Sequence, residues 1–252
     1  MILLKSPTEF ELMRHPGKIV GGAHRKVREA VRPGITTQEL DQLVEDFIRE
    51  QGGEPAFKGY RGFPASVCAS VNEEVVHGIP GPRALQEGDI VGVDIGVKAG
   101  GFYSDAAQTI AVGAVSPEAR ALLDVTRGAL LAGIEQAHVG NRMGDISHAV
   151  QKYVESRGFS VVRTLVGHGI GRSMHEDPQV PNFGKPKKGP ELKVGMALAI
   201  EPMVNIGGHE VEVLDDAWTV VTADGSLSAH FEHTVAILEN GPEILTNGAV
   251  PE

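Results

Sequence analysis

The sequence predicts an α+β fold, a curved and mostly antiparallel sheet backed by helices and made of two pseudo-equivalent halves. Three observations lead there. First, shifting the chain by 106 positions sets Gly34 on Gly140, Leu40 on Ile146, Leu43 and Val44 on Ala149 and Val150, Phe47 and Ile48 on Tyr153 and Val154, and Gly52 on Gly158. Second, each copy spaces its apolar residues at i, i+3, i+4, i+7 and i+8, one stripe of an amphipathic helix that a glycine then ends. Third, "LQEGDIVGVD" aligns with "LKVGMALAIE" at a shift of 107, matching Leu85 with Leu192, Gly88 with Gly195 and Asp94 with Glu201. With 252 residues and 41% hydrophobic content, the chain is expected to form a single domain over 1–252, its halves roughly 1–120 and 121–252.

The first element is a helix in "SPTEFELMRHPGKIV", with Ser6 as N-cap, Pro7 at the first position and Glu9 closing a capping box. Pro16 should end or kink it. Further on, strands over Ile90–Val97 and Phe102–Ala111 should form a hairpin through residues 98–101. A loop centred between Ala99 and Gly100 sets Asp94 directly opposite Asp105, their Cβ atoms roughly 4.5–5.5 Å apart, and opposed like charges are destabilising. Something positive should therefore sit between them. Val91, Val93, Ile95 and Val97 make a β-branched face for packing, while Gly92, Asp94 and Gly96 share the other with Ala107. Glycines beside an acid leave space, which favours a metal site over a solvated surface.

The second half repeats this logic, with Met196, Leu198 and Ile200 opposite Gly195, Ala197, Ala199 and Glu201. A last strand, "SLSAHFEHTVAIL", puts Phe231, His233, Val235 and Ile237 opposite Glu232, Thr234 and Ala236. The repeat offset from Asp105 nominates Glu212, but that residue lies in an acid-rich polar stretch, so Glu232 is the better candidate. His168, in "LVGHGIGRSMHEDPQV", stands between two glycines where the backbone can bend closely round an ion. Asp94, Asp105, His168, Glu201 and Glu232 together offer more donors than one ion takes and suit two ions sharing bridging carboxylates. The oxygen-rich set fits divalent Co, Mn, Fe or Zn. No H-E-x-x-H zinc helix is present.

Lys and Arg total 23 against 33 Asp and Glu, a formal charge of -10, so the surface as a whole should repel nucleic acid. The one basic cluster, Lys185, Lys187 and Lys188, lies in a Pro/Gly-rich stretch that reads as a solvated loop. A single cysteine, Cys68, excludes an internal disulfide, and "MILLKSPTEF" lacks a basic region followed by a long apolar run. A cytoplasmic monomer with no membrane span is expected.

Taken in order, "MRHPGKIV", "GYRGFPASVCASVNEEVVHGIP", "GDIVGVDIGVKAGGFYSDAAQT", "VGHGIGRSMHEDPQVPNF", "MALAIEPMV" and "FEHTVAIL" closely resemble the type I methionine aminopeptidases of the pita-bread metallopeptidase fold, over nearly the whole chain. The resemblance implies that Asp94, Asp105, His168, Glu201 and Glu232 bind two divalent metals, with Asp105 and Glu232 bridging. It also implies that His77 and His175 contact the substrate, that Glu201 shuttles a proton, and that Tyr60, Phe63, Cys68, Met174 and Trp218 line a methionine pocket. The substrates implied are nascent peptide N-termini with a small second residue, and a transient ribosome contact through Lys185, Lys187 and Lys188 would suit that role. The chain departs from the family pattern at Phe63, which lacks a hydroxyl, at Met174, where phenylalanine is frequent, and at Pro16, where alanine is usual. Two rivals share the fold: a Pro-directed peptidase, which usually carries an additional N-terminal domain, and a non-catalytic binding protein, which would not need all five ligands.

Overall fold

The computed structural model describes residues 1–250; residues 251 and 252, the end of the predicted second half, lie outside the described residues. The described residues contain four long helices: α1 (Pro7–Ala30), α2 (Thr37–Glu50), α3 (Pro117–Ile134) and α4 (Met143–Glu155). The capping box of Ser6 and Glu9 forms as the sequence predicts, and Thr36 and Glu39 build the same device on α2. Pro16 does not end α1, which runs on for 14 residues beyond it. An interior proline costs about 3 kcal/mol or more, but Met13 and Val20 on either side are fully buried, and each buried side chain of this size returns about 1.5–3 kcal/mol.

The repeat is visible in the backbone. The Gly34 amide donates to the Leu85 carbonyl and the Leu85 amide to Ile35; Gly140, Leu192 and Asn141 repeat the exchange in the second half. Gly34 and Gly140 take φ of 91° and 88°, a left-handed turn that the absence of Cβ allows. Both turns deliver the chain into matching helices, α2 and α4.

All the strand pairings among the described residues are antiparallel. In the first half, Ile90–Ala99 pairs with Phe102–Ala111 on one side and with Glu54–Pro55 and Val67–Val71 on the other. In the second, a five-stranded sheet runs in the order 241–244, 233–238, 197–200, 167–169, 176–180. Helices back both sheets. Val27, Leu40, Val44 and Ile48 pack on Val91, Val93, Ile95 and Val97, while Leu122, Leu130, Ile146 and Val150 pack on Leu198, Ile200, Val235 and Ile237. Leu40 and Ile146, which the repeat aligns, are both fully buried. Leu40→Ala and Ile146→Ala should each cost about 2–5 kcal/mol, within the range for truncating a packed core residue. Urea unfolding followed by circular dichroism measures this; a loss confined to one half would contradict their equivalence.

Three expectations about the acid-bearing strands are corrected. The hairpin turns on Gly100 and Gly101 alone, with φ of 58° and 82°, the two-residue turn whose twist matches its strands. The register therefore slides by two: Asp94 faces Ala107 and Asp105 faces Gly96, so the acids are diagonal neighbours rather than opposed. A slip of two keeps both on the same face. The space beside Gly96 is also filled, because a Cβ there would come within 2.5 Å of the Phe57 ring. Finally, "SLSAHFEHTVAIL" is two strands, Ser228–His230 and His233–Leu238. The first pairs with Met203–Asn205 and the second with Ala197–Ile200, so the breaks at Phe231–Glu232 and Glu201–Pro202 lie side by side. Both glutamates stand where the chain passes from one sheet to the other.

Candidate metal centre

The breaks and the hairpin meet at one point. The Glu232 amide leaves its own sheet and donates to the Ala107 carbonyl at 2.9 Å. Thr234 Oγ1 accepts the Asp105 amide at 3.0 Å and faces the Asp105 carbonyl at 2.8 Å and Oδ1 at 3.2 Å. On the other side, the Asn182 side-chain amide donates to the Glu201 carbonyl at 3.0 Å. Ligating atoms of Asp105, His168 and Glu232 all lie within 4.8 Å of one another. His168 Nε2 is 3.6 Å from both Asp105 Oδ2 and Glu201 Oε1. Asp94 lines the same cavity. All five sequence-nominated donors are thus brought together, whereas Glu212 is exposed on the Val211–Val213 strand.

His168 is set up to ligate. Its Nδ1 lies 2.9 Å from the Gly169 carbonyl, so that nitrogen carries the proton and Nε2 turns an open lone pair toward the acids. Burial lowers its pKa and keeps the ring neutral. The flanking glycines have a different cause from the one expected. A Cβ at Gly167 would lie 2.3 Å from the Ala199 carbonyl oxygen, and one at Gly169 would lie 2.2 Å from that of Asp177. Neighbouring backbone, not an ion, excludes a side chain there.

The carboxylates are out of balance on their own. Burial raises Asp105 to about 6. Burial first, then the neighbouring acids, pushes Asp94, Glu201 and Glu232 well above the ordinary carboxylate range. Asp94 Oδ1 and Glu232 Oε1 are buried without a hydrogen-bond partner. Orphaned acceptors, clustered anions and an open imidazole nitrogen are what divalent cations satisfy. Cys68, paired in register with Asp94, is not a thiolate ligand, because burial raises its pKa and keeps the thiol protonated.

The cavity is about 310 Å³ in volume and contains all twelve residues nominated from the sequence. Phe63, Cys68 and Met174 form its buried apolar wall, with Tyr60 and Trp218 packed against them; Trp218 meets Phe63 edge-on at 5.1 Å. His77 holds φ of 61°, unusual for a residue with a side chain and common at functional sites. His175 lies 4.2 Å from His168 between ring centroids. Partial burial, then His168, lowers it to about 4, so it is neutral at physiological pH. Its Nδ1 is 2.8 Å from the Tyr60 hydroxyl, a contact the pocket-lining expectation for Tyr60 did not include.

His175 is also fastened from below. The next residue, Glu176, forms a buried ion pair with Lys5, Nζ to Oε2 at 2.6 Å, and its other oxygen accepts the Ser173 amide. The segment before α1 thereby anchors the loop that carries Met174 and His175. Sequence reasoning also missed Phe57, Arg61 and His230. Arg61 sits between glycines in "GYRGF", whose glycines mark the turn. His230 is two positions from Glu232, and its buried Nε2 lies 3.7 Å from Glu201 Oε2.

Residues 11–239 match the metallopeptidase family M24. The chain belongs to that family, whose chemistry uses divalent metal. A methionine aminopeptidase of Clostridium perfringens is 60% identical over 246 residues, 98% of this chain and 99% of that protein. The crystal structure of methionine aminopeptidase from Thermotoga maritima has 50% identity and a TM-score of 0.96, covering 98% of this chain and 99% of that one. Within the family, the chain therefore groups with the methionine aminopeptidases over the full length of both. An Xaa-Pro dipeptidase from Bacillus anthracis, 22% identical with a TM-score of 0.79, covers 99% of this chain and 63% of that chain; it shares the pita-bread fold alone.

Proposed function

We propose that the chain removes the initiator methionine from nascent proteins with a small second residue, using two divalent cations drawn from Co, Mn, Fe or Zn. The observation that supports this most is the cavity itself, in which the Asp105, His168 and Glu232 cluster adjoins an apolar wall of Phe63, Cys68, Met174 and Trp218. An unbranched thioether packs well against aromatic edges and sulfur. Asp94, Asp105, His168, Glu201 and Glu232 would hold the metals. When bound, divalent cations ease the ionisation of water, polarise the scissile carbonyl and hold the free α-amine.

The side chains do the rest. Glu201 accepts a proton from the attacking water and passes it to the departing nitrogen. The Tyr60 hydroxyl donates to His175 Nδ1, which leaves the proton on Nε2 to bond the carbonyl oxygen as it becomes negative. His77 holds the scissile nitrogen. The whole chain acts as one catalytic domain, monomeric in the cytoplasm, with Lys185, Lys187 and Lys188 free to touch ribosomal RNA. No helix among the described residues is long and apolar enough to cross a membrane.

The test is purification without added cations, metal analysis, and reconstitution with each metal on Met-Ala-Ser and Ala-Pro peptides. Cleavage of Met-Ala-Ser alone, lost with chelator, is expected. Preference for Ala-Pro would transfer the chain to the Pro-directed peptidases. Metal-free protein with no activity after reconstitution would make it a binding protein.

A further inference from the structure

We propose that Arg61 reads the charge of the peptide beyond the scissile bond and favours an acidic residue among the first positions that follow it. The inference rests on the aminopeptidase reading above. Four carboxylates and three imidazoles line the cavity, and Arg61 is the only permanently charged cation among its described lining residues. It is exposed, whereas Cys68 and Met174 deeper in are buried. Its charge therefore stands at the mouth. Arg61 pairs with no carboxylate among the described residues; its guanidinium rests 5.4 Å from the centroid of the Tyr60 ring. Tyr60 in turn bonds His175, so two side chains link the cation to the reacting carbonyl in the proposed geometry.

The backbone fixes it there. Arg61 takes φ of 48° and ψ of 24°, a left-handed conformation that disfavours any side chain. The turn is closed by the Phe63 amide on the Tyr60 carbonyl and flanked by Gly59 and Gly62, both at positive φ. A peptide with its methionine against Phe63 and Met174 must run outward past this rim. There an acidic side chain would meet an unpaired guanidinium, a geometry suited to bidentate contact. The protein as a whole carries a charge of -10, so its overall field predicts the reverse preference, and the order of substrates separates the local effect from the global one.

The experiment compares Met-Ala-Glu-Ser and Met-Ala-Ser-Glu with their lysine counterparts and with Met-Ala-Ser-Ser on the metal-loaded protein. At least one glutamate peptide should exceed its lysine counterpart about two- to fivefold in kcat/KM, the range for an exposed ion pair. The gain should lie in KM and fade toward about 1 M salt. Arg61→Gln should bring that ratio to near one, and Arg61→Glu should invert it. Reading the ratio within each variant cancels any general loss of activity. Equal cleavage of glutamate and lysine peptides by the unaltered protein, or an order that survives Arg61→Glu, would overturn the proposal. No cleavage of Met-Ala-Ser-Ser would overturn the aminopeptidase reading itself.

Discussion

Replacing His175 with alanine is expected to lower kcat by about 10²- to 10³-fold, the usual consequence of removing one donor to a developing oxyanion. Bound metal should be unchanged, because the tight donor cluster is Asp105, His168 and Glu232. KM should change little, since the proposed methionine pocket is walled by Phe63, Cys68, Met174 and Trp218. The defect should be constant between about pH 6 and 9: His175 is depressed to about 4 and stays neutral over that whole range. Turnover with metal analysis on the same preparation is the check. Metal and kcat falling in parallel would remove the histidine's assigned role.

The second large effect is expected on removing the metal. With cation at about 1,000 times its Kd, binding adds about 4 kcal/mol, a rise in Tm of roughly 8–16 °C for a chain of this size. The pH dependence carries the sharper test. Without cations, Asp105 sits at about 6 and Asp94, Glu201 and Glu232 well above their ordinary values. The folded chain then holds protons that the unfolded chain releases, so these acids lower stability as pH rises from about 4 through their folded pKa values. The buried histidines oppose them. His24 and His230 are pushed to about 3 and His175 to about 4, so each adds stability as pH rises from there to its unfolded value of 6.5 and nothing beyond. These histidines, and Cys68 with its thiol held protonated by burial, contribute whether or not metal is bound, so a comparison of the two states isolates the acids. The gap in Tm between metal-loaded protein, whose carboxylates are already ionised, and chelated protein should therefore widen as pH rises from about 4 through the Asp105 value of about 6. Parallel melting curves in the two states would show that the acids do not meet at a cation site.

How much could be read in advance depended on the range of the interaction. The capping box of Ser6 and Glu9 is local, and so is the amphipathic stripe of Leu40, Val44 and Ile48; both are where the sequence predicts. The convergence of Asp94, Asp105, His168, Glu201 and Glu232 on one cavity was legible because four acids and a histidine sit among small or apolar residues that a solvated surface would not carry. What failed was geometry set from outside the segment. The hairpin register depended on whether two or four residues turn, and two consecutive glycines at positive φ decided it. The break before His233 was invisible because "HFEH" alternates as well as any strand; Ala107 on another element draws the Glu232 amide away. Gly96, Gly167 and Gly169 were correctly singled out but for the wrong neighbour. A Phe57 ring and two carbonyl oxygens, remote in sequence, occupy the space assigned to an ion. Pro16 shows the same limit, since the helix continues past it between the buried Met13 and Val20 instead of ending there.

The placement of the acids on opposite sides of a seam has one more effect. Asp94 and Asp105 come from one half of the chain, and His168, Glu201 and Glu232 from the other, so under the proposed function cation affinity would measure how well the halves are aligned. Substitutions on the outer faces of α1 or α3, far from any ligand, can then tune metal loading by tilting one half against the other. Selection for a scarce or an abundant metal would then act through scaffold residues while the five proposed donors stay fixed.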